Sequence, residues 1–110
     1  MRLPPDLVIA AEKLTAYLLA PRPVDDKSRF LGRAGFLASR PEELEAGIRR
    51  LAAGHEAEED GAGMYGSFWR VEGLLAGPEG TLRVVTIWLK RAADGRFHFV
   101  TLKPAKEQGS

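Results

Sequence analysis

The chain has 110 residues, 45% hydrophobic and 28% charged, with no cysteine and a formal net charge of +1. That length and balance fit one globular domain with a single core and leave too little chain for two. The missing cysteine excludes a disulfide framework, a thiolate metal site and a thiol nucleophile. The small net charge conceals a segregation. From Thr81 to Lys106, six cations stand against Asp94 alone, a balance of +5, while from Pro41 to Asp60 seven acids stand against Arg49 and Arg50, a balance of −5. Such an arrangement points to an anionic partner for one surface and a basic partner for another.

Residues Met1-Arg2-Leu3-Pro4-Pro5-Asp6 lack the basic and apolar regions of a signal peptide, and no apolar run reaches the length of a membrane span. The expectation is a cytoplasmic protein that does not enter a membrane. A single domain is expected over 1–108, with Gly109-Ser110 read as an appended remnant.

Asp6 offers a cap for a first helix over about 6–19, where Leu7, Ala10, Ala11, Leu14 and Leu18 recur at helical spacing and Pro21-Arg22-Pro23 ends the run. Asp25 or Asp26 offers a cap for a short helix over about 26–35, closed by Gly35, with Phe36 and Leu37 packing after the stop. Ser39 and Glu42 have capping-box spacing for a third helix over about 40–58, with Leu44, Ile48, Leu51, Ala52 and His55 on one face. Its last residues, Glu56 to Asp60, oppose the helix dipole, so fraying or a basic neighbour is expected there.

After Gly61-Ala62-Gly63, β-branched and aromatic residues dominate. Turn residues at Gly77-Pro78-Glu79-Gly80 and Asp94-Gly95 divide them into three antiparallel strands, about 65–75, 81–90 and 96–103. Helices followed by a meander make the fold class α+β, with the helices packed on one face of the sheet.

The turn at Asp94-Gly95 leaves two registers open. A two-residue loop sets Trp88 opposite Thr101 and Thr86 opposite Lys103, with Ile87, Leu89, Val100 and Leu102 on the core face. A three-residue loop with a bulge at Gly95 sets Lys90 opposite His98 and Trp88 opposite Val100. The first segregates apolar from polar residues better and is preferred. In that register Thr86, Trp88, Lys90, Phe99, Thr101 and Lys103 share a face. Cations beside an aromatic ring suit single-stranded nucleic acid, whose phosphates meet the charges while its bases stack. The competing reading places Trp88 and Phe99 in the core, with the basic residues guarding sheet edges.

His98, among Arg96, Lys103 and Arg91, is the candidate general base for metal-free phosphodiester cleavage, with a neighbouring cation stabilising the charged transition state. Lys103, Thr101 and Thr86 are the residues expected to hold or orient the phosphate, helped by Lys90, Arg96 and the Trp88 ring. Lys27 and Arg29 lie where the second helix begins and could add anion contacts. His55 has Glu58 or Glu59 within helical reach but no third ligand, so no metal and no cofactor are expected.

The order and spacing of Lys13-Leu14, Tyr17-Leu18-Leu19, Lys27, Phe30-Leu31, Gly35-Phe36, Gly66, Gly77-Pro78, Gly80, Thr86, Trp88, Val100-Thr101 and Pro104 resemble a family of small bacterial domains of unknown function. Some members stand alone and others end polymorphic-toxin or phage-related proteins. The helices-then-meander order is also similar to the compact fold of bacterial ribonuclease toxins, which cleave RNA without a metal through side chains on the sheet. The resemblance implies an RNA-binding, RNA-cleaving toxin-like domain. The alternative is a non-catalytic interaction module that pairs with a small protein or with its own copy through the acidic segment or a strand edge.

Overall fold

The computed structural model describes residues 1–19 and 27–105. A π-helical segment, Lys13–Leu18, is followed by α1 (Ser28–Gly32) and α2 (Pro41–Gly54). Four strands come next: β1 (Ala57–Gly63), β2 (Gly66–Gly77), β3 (Gly80–Arg91) and β4 (Phe97–Pro104). They form one antiparallel sheet in the order β1-β2-β3-β4. The class is α+β, with less helix and one more strand than the sequence suggests. The expected Pro21-Arg22-Pro23 stop, the Asp25 or Asp26 cap, Lys106 and Gly109-Ser110 lie outside the described residues. Among the described residues no helix is long and apolar enough to cross a membrane.

Residues 6–9 are extended rather than helical. Val8 forms a parallel bridge with His98 on β4. The Val8 amide donates to the Phe97 carbonyl at 2.9 Å, and the Phe99 amide donates to Val8 at 2.8 Å. Leu3 and Leu7 nevertheless enter the core. The helical spacing of Leu14 and Leu18 holds in the segment that follows, where both are buried. Its turn is widened to an i to i+5 bond, from the Leu19 amide to the Leu14 carbonyl.

Gly35 closes the second helical stretch at φ +88°, the left-handed position its sequence suggests. Phe36 is then buried, but Leu37 is 52% exposed and does not pack. The Ser39–Glu42 capping box does not form. Arg40 is the N-cap without a side-chain bond, and the helix starts instead on Pro41, with Glu42 and Glu43 in the first turn where the dipole favours them. Nor does this helix reach residue 58. It stops at Gly54, and the acids Glu58, Glu59 and Asp60 enter β1, away from the unfavourable helix C-terminus.

Two glycines set the hairpins. At Gly66, φ is +142° and a Cβ would collide with the Lys90 carbonyl. At Gly77 a Cβ would meet the Ala34 carbonyl, so the Pro78-Glu79 turn can lie against the end of α1.

The β3–β4 hairpin begins in neither expected register, and past a bulge it takes up the second of the two. Arg91 and Arg96 close a longer loop, with the Arg91 amide donating to the Arg96 carbonyl at 3.0 Å. Lys90 then pairs with Phe97, Leu89 with His98 and Trp88 with Phe99. A bulge follows, after which Ile87 pairs with Thr101 and Val85 with Lys103. The extra residue, Val100, lets β4 change phase, so Phe97, Phe99 and Leu102 all reach the core.

The core lies between the helices and one sheet face. Val71, Leu75, Val84, Trp88, Phe99 and Leu102 meet Leu14, Leu18, Leu31, Leu44, Ile48 and Leu51. The Trp88 and Phe99 rings pack edge to face with centroids 5.4 Å apart. Gly47 admits Leu75 and the β2 backbone to α2. Among the described residues no helix packs on the other sheet face.

Candidate functional site

The register places on the helix-free face Phe68, Arg70, Glu72 and Leu74 from β2, Arg83, Val85, Ile87 and Leu89 from β3, and His98, Thr101 and Lys103 from β4. Glu58, paired with Arg70, joins them from β1. Directly paired residues share a face, so these side chains form rows. One row is Phe68, Leu89 and His98. The next is Glu58, Arg70, Ile87 and Thr101, and the third is Glu72, Val85 and Lys103. Neighbouring members of a row stand about 4.8 Å apart, and successive rows about 7 Å.

A cleft of about 380 Å³ opens over the second and third rows. Val85 and Ile87 form its floor, Arg70, Glu72 and Asp60 line one side, and Lys103, Pro104 and Ala105 line the other. Phe68 at 40% and Leu74 at 55% exposure stand clear of it as apolar surface. Within the face, Glu72 is shared: Oε1 accepts from Arg70 Nη2 at 3.1 Å and Oε2 from Arg83 Nε at 3.3 Å.

His98 sits at one end of this face. Its Nε2 lies 2.8 Å from Asp94 Oδ2, while Asp94 Oδ1 accepts the Arg96 amide at 2.8 Å. Those contacts, the Arg96 amide first and His98 second, hold the Asp94 carboxyl below the ordinary carboxylate range. With Nε2–H donated to Asp94, the Nδ1 lone pair is the nitrogen left to take a proton. Thr101 Oγ1 donates to the Leu102 carbonyl at 3.3 Å, and Lys103 is exposed at the cleft wall.

His98, Thr101 and Lys103 are thus on one face, in three successive rows, and of the three only Lys103 lines the cleft. The other residues expected to bind phosphate are not gathered with them. Thr86 and Trp88 are fully buried on the helical side, where Trp88 Nε1 donates to Thr86 Oγ1 at 2.9 Å and Thr86 Oγ1 donates to the Val71 carbonyl at 3.0 Å. Trp88 is therefore a core residue and presents no ring for stacking. Lys90 also points to the helical side, its Nζ 5.7 Å from the Phe97 ring centroid. Arg96 reaches back to Asp6, donating to its carbonyl at 3.0 Å. Lys27 and Arg29 belong to α1 and its preceding residue, in the helical layer.

His55 Nδ1 lies 2.9 Å from the Leu51 carbonyl, and its ring covers Gly73 so closely that a Cβ there would clash. Among the described residues no group of three or more His, Asp or Glu side chains is arranged to hold a metal ion.

The sequence reading missed Phe68, Arg70 and Glu72 on the open face. Their signal was the alternation of β2, where Trp69, Val71, Gly73 and Leu75 take the core side and the residues between them the other. Nor does the sequence mark Asp94 as the partner of His98, since an Asp-Gly pair signals a turn and leaves the side chain's partner open.

Residues 5–106 match the model of a family described as a domain of unknown function, DUF6883. The chain belongs to that family. The match runs from before the first helical segment through β4, so the DUF6883 domain includes both the helical layer and the open sheet face. No curated protein matches the chain. The expectation of an uncharacterised domain family holds to that extent.

Proposed function

We propose that this DUF6883 domain is a toxin-like, RNA-binding domain of the bacterial cytoplasm that works through the helix-free face of its sheet and cleaves RNA without a metal. The observation that carries the reading is the shared placement of His98, Thr101 and Lys103 on that face beside Phe68 and Arg70. The chemistry sought in Trp88 and Thr86 is thereby supplied by other residues: Phe68 is an exposed ring on which a base can stack, and Arg70 and Lys103 flank a cleft that fits a phosphate.

In this reading Nδ1 of His98 removes the proton of a ribose 2′-hydroxyl. The 2′-oxygen attacks the adjacent phosphorus, the bond to the 5′-oxygen breaks, and that oxygen leaves with a proton returned by the imidazolium or by water. Asp94 holds the ring in the tautomer that frees Nδ1 and stabilises its charged form. Lys103 and Arg70 offset charge on the phosphate, and Thr101 orients it.

A second reading uses the same face without chemistry. Phe68 and Leu74 are exposed apolar side chains on an uncovered sheet, and β1 is an edge strand with the acids Glu58, Glu59 and Asp60 exposed. These favour a small protein partner with a basic segment, or a second copy of the chain.

Incubation with end-labelled total RNA at low salt in EDTA separates the two. Cleavage by the wild type that is absent from His98→Ala is expected. Intact RNA in both lanes removes the catalytic reading.

A further inference from the structure

We infer that Arg70 and Arg83 form an anion-binding site whose resident occupant is the domain's own Glu72, so that Glu72 competes with a phosphodiester for the open face. The identity of the ligand rests on the RNA reading; the site is read from geometry. Arg70 lies two residues before Glu72 on β2, and Arg83 reaches it diagonally from β3, where it pairs with Leu74. Each carboxylate oxygen takes one guanidinium, at 3.1 and 3.3 Å. One arginine would neutralise Glu72, and the second leaves the cluster with a surplus positive charge. Two guanidiniums on two oxygens of one group is also how a phosphodiester's free oxygens are held.

The arrangement is suited to exchange. Glu72 is 35% exposed, Arg70 39% and Arg83 55%, and pairs this open to water contribute little to stability. A ligand that displaces the carboxylate therefore loses little. Lys103, across the cleft from Arg70 and Glu72, adds a third cation to the same site. Around the cleft, with Glu72 in place, the acids Glu58, Asp60 and Glu72 offset Arg70, Arg83 and Lys103, while Arg91 stands at the far end of the face. Turning Glu72 aside uncovers the cationic surface.

The test is fluorescence anisotropy with a fluorescein-labelled twelve-nucleotide oligouridine at low salt in EDTA. It compares the wild type, Glu72→Ala, and Glu72→Ala combined with Arg70→Gln and Arg83→Gln, each first shown folded by its thermal transition. Glu72→Ala binds several-fold tighter than wild type, with a salt slope steeper by about 0.7 for each phosphate newly neutralised. The triple variant loses that gain. A Glu72→Ala variant that binds no tighter overturns the inference. So does a gain that survives without Arg70 and Arg83, since it would be a general effect of removing a negative charge. If the oligouridine binds no variant, RNA as the ligand fails, and inorganic pyrophosphate decides the site. It shifts the Arg70 and Arg83 side-chain N–H resonances in Glu72→Ala if the site exists, and leaves them unmoved if it does not.

Discussion

Trp88 donates its indole N–H to Thr86 Oγ1 at 2.9 Å, two residues away on the same strand, and both side chains are fully buried. Thr86 passes the bond on to the Val71 carbonyl on β2. A polar chain enclosed in this way fixes the facing of the whole sheet, because each group has a partner only while Trp88 and Thr86 point to the helices.

Thr86→Val retains the shape of the side chain and strands the Trp88 N–H in the core. The expected loss is about 1–3 kcal/mol of unfolding free energy, measured by urea denaturation. Trp88→Phe removes the donor as well as volume. In the double variant the two losses sum to more than the measured total, because the stranded donor that costs Thr86→Val is absent once Trp88 is also replaced.

Asp94 gives a pH dependence of definite sign. Its carboxyl is held below its unfolded value, so its contribution is fully present above the ordinary aspartate range and is lost as pH falls through the lowered native value. Urea unfolding of the wild type and Asp94→Asn therefore differs near neutral pH and converges as pH drops below about 4. Glu56, lowered in the same direction by the amine of Met1, is present in both proteins and cancels in the comparison. A gap between the two proteins that widens on acidification would contradict this account of the loop.

Gly66→Ala places a methyl group against the Lys90 carbonyl and requires φ of +142° from a residue with a Cβ. The expected cost is at least about 2 kcal/mol, again by urea unfolding. Gly63, its cross-strand partner, has open space at the Cβ position and no left-handed backbone. Gly63→Ala is the control and is expected to stay within about 1 kcal/mol of wild type.

Much of this architecture is legible in local patterns. The apolar spacing from Leu44 to Ala52 gives α2, the left-handed stop gives Gly35, and the turn residues around Pro78 give the β2–β3 hairpin. What escapes is tertiary. Residues 6–9 have helical spacing yet extend because the free edge of β4 offers Val8 two backbone bonds. Glu58 to Asp60 look like a helix end and form a strand because β2 provides a partner. The site suffers most from the hairpin. Thr86 and Trp88 share with Val84 the side of β3 that meets the helices, where the preferred register puts Ile87 and Leu89. The extra residue at Val100 changes the facing of β4 between His98 and Thr101. The preferred register sets His98 on the opposite face from Thr101 and Lys103, and only the extra residue at Val100 brings the three to one face.

The central claim is that the helix-free face binds RNA, and a two-sided charge comparison tests it most directly. Affinity for the labelled oligouridine is measured across a salt series for Arg70→Gln with Lys103→Gln, on the open face, and for Arg29→Gln with Lys90→Gln, elsewhere on the domain. The open-face pair is expected to lower affinity and to flatten the dependence of log K on log salt by about 0.7 per lost phosphate contact, while the other pair changes neither. Equal losses from both pairs, or an open-face pair indistinguishable from wild type, would contradict the assignment.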